Sequence, residues 1–263
     1  MRYGIPEFRL EKTILDEVKQ ELIEMGVLFQ FERELGRNLN LEELNQYDAI
    51  FLGIGATIPS KYQLAETDFK NIYDPDFFLK EYNQGNKIEN LGKTIVIGGG
   101  NVAIDCARTA KRMGAEKVTI VYRRDRENMP ARESEIEDAI QDGVEIDYLS
   151  KVNHVVGQGG KIEKVKCSKT QIVDKKVIDV PNSDYEIEAN TVIFAIGLTP
   201  DRELIEKQLG LELNEKGMIK LNDQFQTSNP KIYAGGDIAE SKSTVCRAIS
   251  AGKNAAIEIM KQI

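Results

Sequence analysis

Only three cysteines occur in the 263 residues, and no Cys-x-x-Cys is among them. Cys106, Cys167 and Cys246 are widely separated, so a redox dithiol, a zinc ribbon and an iron–sulfur cluster held by this chain alone all lack ligands. Histidine is scarcer still. His154 stands alone, which leaves histidine metal sites and Ser-His-Asp catalysis without their residues. It falls in the strand-like run Val152-Asn153-His154-Val155-Val156 and reads as structural. No catalytic acid, base or metal ligand is assigned. Long apolar runs are missing too: Ala49-Ile50-Phe51-Leu52 is far too short to span a bilayer. The opening Met1-Arg2-Tyr3-Gly4 has no apolar signal region, and the cysteine usage fits a reducing cytoplasm. Positive charge is in deficit, 35 Lys and Arg against 43 Asp and Glu. The net charge of −8 argues against nucleic acid or an anionic membrane as the main partner.

What is present is a globular composition, 41% hydrophobic and 30% charged, with enough chain for one large domain or two modest ones. The chain is organised around Lys93-Thr94-Ile95-Val96-Ile97-Gly98-Gly99-Gly100-Asn101-Val102-Ala103. A β-prone run enters a glycine cluster, and an alanine-rich helical pattern leaves it. In the spacing Gly98-x-Gly100-x-x-Ala103, Gly98 permits a sharp turn and Gly100 lets a pyrophosphate approach the backbone. Small Ala103 lets the helix pack closely on its strand. Free N–H groups and the helix dipole then favour an anion. This reads as dinucleotide binding rather than a plain strand–helix turn.

Taken in order, residues 1–9 read as an irregular entry. A helix capped by Thr13 and closed by Gly26 follows, then a strand at 27–31, a short helix at 41–44 and a buried strand at 47–52. A helix at 74–82 precedes a domain boundary placed between Asn86 and Lys93. The glycine helix runs 101–113, with Cys106 as a core thiol, and leads to a strand at 117–122, a helix at 133–141 and a strand at 144–148. Between 152 and 187 alternating segments broken by turns read as an antiparallel meander inserted into the parallel fold. A buried strand at 191–196 ends at Gly197. The tail holds a strand at 231–234, the turn Gly235-Gly236-Asp237, and a last helix from about Ser243 with a small-residue face. Cys106 and Cys246 both read as buried on such helices.

Four separated motifs carry a family resemblance: Gly4-Ile5-Pro6-Glu7-Phe8-Arg9-Leu10, the glycine turn with Val121-Tyr122-Arg123-Arg124 and Met129-Pro130-Ala131, Ala195-Ile196-Gly197-Leu198-Thr199-Pro200, and Ala234-Gly235-Gly236-Asp237. Together they resemble the small (beta) subunit of NADPH-dependent glutamate synthase and related FAD/NAD(P)H oxidoreductases with two dinucleotide-binding domains. The resemblance implies a Rossmann-like α/β fold in which an NAD(P)H domain, residues 91–200, is inserted into an FAD domain formed by 1–90 and 201–263. It implies that Gly98, Gly99, Gly100, Asn101, Val102 and Ala103 line the NADPH pyrophosphate and that Arg123 and Arg124 meet the adenosine ribose. It also counts Gly55, in the turn where the chain leaves the FAD domain, and Gly197 among the cofactor-binding residues. Gly236 and Asp237 would meet the FAD ribityl-phosphate region, and Thr244 and Val245 the flavin ring. The family's amino-terminal iron–sulfur domain and first FAD-binding βαβ unit have no counterpart downstream of Met1, which leaves the FAD site incomplete in this chain. Three readings follow: an NADPH-to-FAD electron-transfer flavoprotein serving another subunit or an iron–sulfur domain, a nucleotide-binding module without turnover of its own, or a structural remnant. An oligomer is expected, because the missing strand exposes sheet edges.

Overall fold

A computed structural model describes residues 1–60, 69–240 and 244–263. The chain divides into two compact units, Met1–Val27 with Lys61–Gly197, and Leu28–Ser60 with Leu198–Ile263. Its first part carries α1 (Lys12–Glu24), α2 (Leu41–Leu44), β1 (Ile50–Leu52), β2 (Ile58–Pro59), β3 (Ile72–Tyr73) and α3 (Pro75–Asn83). The glycine stretch forms β4 (Lys93–Ile97) and α4 (Asn101–Arg112), followed by β5 (Lys117–Tyr122), α5 (Glu133–Gln141) and β6 (Glu145–Tyr148). Four strands come next: β7 (Ser150–Gln158), β8 (Lys161–Val173), β9 (Lys176–Asp179) and β10 (Tyr185–Glu188). The chain closes with β11 (Thr191–Phe194), β12 (Leu198–Thr199), a wide helical turn at Leu204–Gln208, β13 (Ile232–Ala234), a tight turn at Gly236–Ile238 and α6 (Val245–Met260).

The first unit has three layers. Its central sheet runs β3-β11-β4-β5-β6, all parallel. Thr94 to Ile97 are buried on both faces, as continuous apolar strands of a covered parallel sheet must be. Helices α3, α4 and α5 cover one face, where Phe78, Leu79, Ile104, Ala107, Ile136 and Ala139 pack with Val96 and Ile120. Ala103, Ala107 and Ala110 are fully buried, so the small face of α4 brings its backbone close to the sheet. A second sheet, β10-β8-β7, covers the other face through Val152, Val155, Val165 and Cys167 against Ile95, Ile97, Val121 and Val192. Its two tight turns use positive φ at Gly159 and Gly160 and at Asp174 and Lys175, the backbone that two-residue hairpins require. The antiparallel expectation holds, but the order is not a simple meander. The long β8 pairs with β10 through Lys164 to Cys167 and with β9 through Thr170 to Val173.

The second unit is smaller. In it β1 and β13 form a parallel pair, Ile50 opposite Ile232 and Leu52 opposite Ala234. Ile50, Leu52, Ile205, Leu211, Ile219, Ile232 and Ile238 make its core. On the far side of β13, Thr227 N–H donates to Ile232 O and Ala234 N–H to Phe225 O. The far side of β1 pairs with no strand among the described residues.

Several expectations change. Residues 1–27 and 69–90 side with the glycine strand, so the unit that holds it is wider than 91–200 and the chain does not divide between Asn86 and Lys93. The reason is packing. Phe78 and Leu79 of α3 bury against the α4 layer, and β3 extends the central sheet beyond β11. Asp74 caps α3 by accepting from Phe77 N–H at 2.8 Å, with Pro75 in the first turn, where it costs no hydrogen bond. Helix α1 starts one residue before Thr13, its N-cap position is Glu11 without a side-chain cap, and none of its residues is buried. Residues 27–31 form no strand, and Leu28 is 91% exposed. Alternation there lacks a partner strand to bury it. Among the described residues no helix is long and apolar enough to cross a membrane, and no group of three His, Cys, Asp or Glu is placed to hold a metal ion.

Candidate functional site

The glycine turn sits at the carboxyl ends of β4, β5 and β11, where open parallel sheets bind ligands. Each glycine answers a different steric demand. Gly98 has φ +147°, donates to Val121 O at 3.2 Å, and a Cβ there would lie 2.2 Å from Ala195 O. Gly99 lies against the Tyr122 ring. Gly100 is the N-cap of α4, and a Cβ there would meet nothing within 4 Å. Protein packing therefore explains two of the three glycines, while the third opens onto free space. Ala103 is fully buried, and its Cβ would stand 3.4 Å from one built on Gly98, the close helix–strand approach that the motif predicts.

The N–H groups of Ala103 and Ile104 turn back to Gly100 O at 2.9 and 3.2 Å. Those of Gly99, Gly100, Asn101 and Val102 meet no acceptor among the described residues. No acidic side chain occupies the first turn of α4. The donor set, the helix dipole and the space before Gly100 together fit a diphosphate.

The loop after β5 is stitched to this turn. Ala131 N–H donates to Gly99 O at 3.1 Å and Arg132 N–H to Asn101 Oδ1 at 3.1 Å. Tyr122 Oη donates to Asn128 O at 2.7 Å. Burial pushes the Tyr122 hydroxyl upward in pKa, and the nearby Arg124 and Arg123 charges work the other way. These contacts give Met129-Pro130-Ala131 a role that its sequence alone left blank: the segment rims the glycine turn.

The structure treats the two arginines differently. Arg124 and Arg123 both lie near enough to Tyr122 to lower its pKa, but only Arg123 lines a hollow. Arg123 lines an open groove of about 810 Å³ with Lys151, Asn153, His154, Ile178 and Asp179. A second hollow of about 540 Å³ adjoins it through Asn153 and His154. No residue of the glycine turn lines either hollow. Asp125, the nearest acid after β5, accepts from Asn128 N–H at 2.9 Å and from its Nδ2 at 2.7 Å, so it serves the loop. Arg126 is taken up by Glu133 and Glu137. Gly197 has φ +103° and follows β11, two residues beyond Ala195.

The remaining site residues belong to the second unit. Gly236 has φ +77° and is buried, and a Cβ on it would come 3.3 Å from Ala248 Cβ of α6. Asp237 follows it in the same tight turn. Thr244 caps α6, its Oγ1 accepting from Arg247 N–H at 3.3 Å, and Val245 is 41% exposed in the first turn. The helix thus starts at Val245, and Ser243 lies outside the described residues. Gly55 has φ +71° and faces open space. Cys246 corrects an expectation. It is exposed, because α6 buries only Ala251 and Ala255.

A family model described as pyridine nucleotide-disulphide oxidoreductase matches residues 33–255. The chain is 34% identical to the glutamate synthase [NADPH] small chain of Escherichia coli, over 99% of its own length and 60% of that protein. Among solved structures, FprA of Mycobacterium tuberculosis in complex with NADPH superposes with TM-score 0.74 at 16% identity, covering 99% of this chain and 73% of that one. Thioredoxin reductase of T. acidophilum gives 0.64 at 20% identity, covering 81% and 65%. The FprA match spans both units. With most of its length under one family model, the chain belongs to the pyridine nucleotide-disulphide oxidoreductases.

Proposed function

We propose that this chain is the NADPH-binding part of a flavin-dependent oxidoreductase that delivers electrons to a partner subunit or domain in the cytoplasm. The observation that carries this reading is the open space before Gly100, flanked by the unmatched N–H groups of Asn101 and Val102. NADPH supplies a hydride, and FAD converts that pair into single electrons. The protein's own task is to bind and orient. The start of α4 would take the diphosphate, and Arg123 and Arg124 the 2′-phosphate end, a role suited to guanidinium groups. Gly236, Asp237, Thr244 and Val245 are the residues left to meet FAD. The E. coli relative's name, a small chain of glutamate synthase, supports a partner subunit, though this chain spans 60% of that protein.

Calorimetry with NADPH tests the reading. A methyl at Gly100 meets no protein atom, so Gly100→Ala should fold normally and bind NADPH at least about tenfold more weakly. Equal affinity in the two proteins would refute the proposal.

A second reading, a nucleotide-binding module without turnover of its own, is favoured by β1. Ile50 N–H donates to Lys231 O and Leu52 O accepts from Gly235 N–H, which turns the backbone of Phe51 to the other edge. No strand covers that edge among the described residues. FAD should then bind weakly or not at all. A flavin absorption band near full occupancy, bleached by NADPH, would exclude this second reading.

A further inference from the structure

The amino-terminal motif has no place in the site above, yet Arg9 reaches the side of α4. Its Nη1 donates to both oxygens of Asp105, at 2.8 and 2.7 Å, and its Nη2 lies 3.0 Å from Glu135 Oε1. The Asp105 side chain is only 5% exposed. Phe8 holds the segment in place, with Arg112 Cζ 4.0 Å and Arg108 Cζ 4.9 Å from its ring centroid. Arg108 is committed elsewhere, to Asp138 at 2.9 Å and Asp142 at 2.7 Å, and stands 3.5 Å from Glu135 Oε2. Arg112 also pairs with Asp142, at 2.6 Å. Arg9 is thus the one cation directly hydrogen-bonded to Asp105 among the described residues.

Asp105 stands five positions beyond Gly100 on α4, roughly 8 Å along the axis from the helix start at the usual rise per residue. A carboxylate at that depth opposes a diphosphate at the N-terminus, and its burial weakens the screening between them. We propose that Arg9 is a positioning residue for the nucleotide. By neutralising Asp105, it keeps the start of α4 electropositive without touching the ligand. This inference rests on the reading of the glycine turn as the NADPH site.

A bracing role for the pair differs from this one in a double variant. Calorimetry with NADPH near pH 8 would compare the wild-type chain with Arg9→Met, Asp105→Asn and the two combined, each checked for folding by thermal melting. Arg9→Met should weaken binding about tenfold, and adding Asp105→Asn should return the affinity to within about threefold of wild type. A double variant as weak as Arg9→Met, or an unchanged Arg9→Met, would overturn the proposal, because a brace is lost in both. If Arg9→Met fails to fold, Asp105→Asn alone decides: affinity equal to or above wild type supports the proposal, and a loss beyond about threefold overturns it. Absence of NADPH binding by the wild-type chain would remove the glycine-turn reading and this inference together. Wild-type binding with an indifferent Arg9→Met would remove only this one.

Discussion

Gly99 and Tyr122 are packed so closely that a Cβ on the glycine would stand 2.3 Å from Cε2 of the ring. The ring cannot swing aside freely, since Tyr122 is 8% exposed and its hydroxyl is bonded to Asn128 O. Gly99→Ala should therefore cost about 1–3 kcal/mol of unfolding free energy, the usual range for overpacking. In a Tyr122→Ala background the same change should cost little, because the clash is gone. Urea unfolding of the four proteins measures the coupling, and additive costs would show that the ring is not the obstacle.

NADPH should be preferred over NADH. Families that select NAD place an acid after the second strand of the unit, and here Asp125 is engaged by Asn128 while Arg123 and Arg124 precede it. Loss of both guanidinium groups should reduce the preference by about tenfold or more. Single variants should also differ, since Arg123 alone lines the groove with Lys151. Identical dissociation constants for the two nucleotides, unmoved by Arg123→Ala with Arg124→Ala, would contradict this.

Acid should stabilise the fold over one window through Asp105. Burial outweighs the bonds from Arg9 and lifts its pKa from 3.8 to about 6. The folded state then binds the proton more tightly than the unfolded chain. This contribution is present in full below about pH 4 and is lost as pH rises through about 6. Two units at about 1.4 kcal/mol each give roughly 3 kcal/mol, an order-of-magnitude figure. The difference in unfolding free energy between wild type and Asp105→Asn should change across that window, and a flat difference would rule the effect out.

The three thiols should separate by reactivity. Burial raises Cys106 well above its ordinary pKa and Cys167 to about 12, with Asp147 adding to the latter, whereas Cys246 is exposed. Iodoacetamide near pH 8 should label Cys246 alone in the native protein and all three in denaturant. The thiols form no disulfide among the described residues, so reduction of a disulfide substrate should not depend on Cys106 or Cys246. Mass spectrometry of the labelled protein, and turnover by Cys246→Ser, would expose an error in either statement.

Much of the first unit was legible because its signals are local. The bounds of β5 and α5 follow from apolar periodicity, and the turn at Gly98 to Gly100 from residues that only a tight, open backbone explains. What could not be read depends on partners far along the chain. Arg9 meets Asp105 across most of the unit, and no period in either segment announces it. The sequence shows α3 as a helix but not which surface it covers, and a boundary near Asn86 read from sequence falls where the chain does not divide. Residues 27–31 alternate like a strand but lack a neighbour to pair with. Arg123 and Arg124 read as one feature, although only Arg123 lines the groove with Lys151.

The pairing of Ile50 with Ile232 also sets an order of events during synthesis. β1 emerges early and must wait for a partner that leaves the ribosome only after the whole intervening segment. A long open loop makes such an encounter entropically costly. The short antiparallel contact of Ile58 with Thr199 draws the two ends of that segment together and shortens the search. The nascent first unit, with its local strand–helix repeats, can thus condense before β1 and β13 meet.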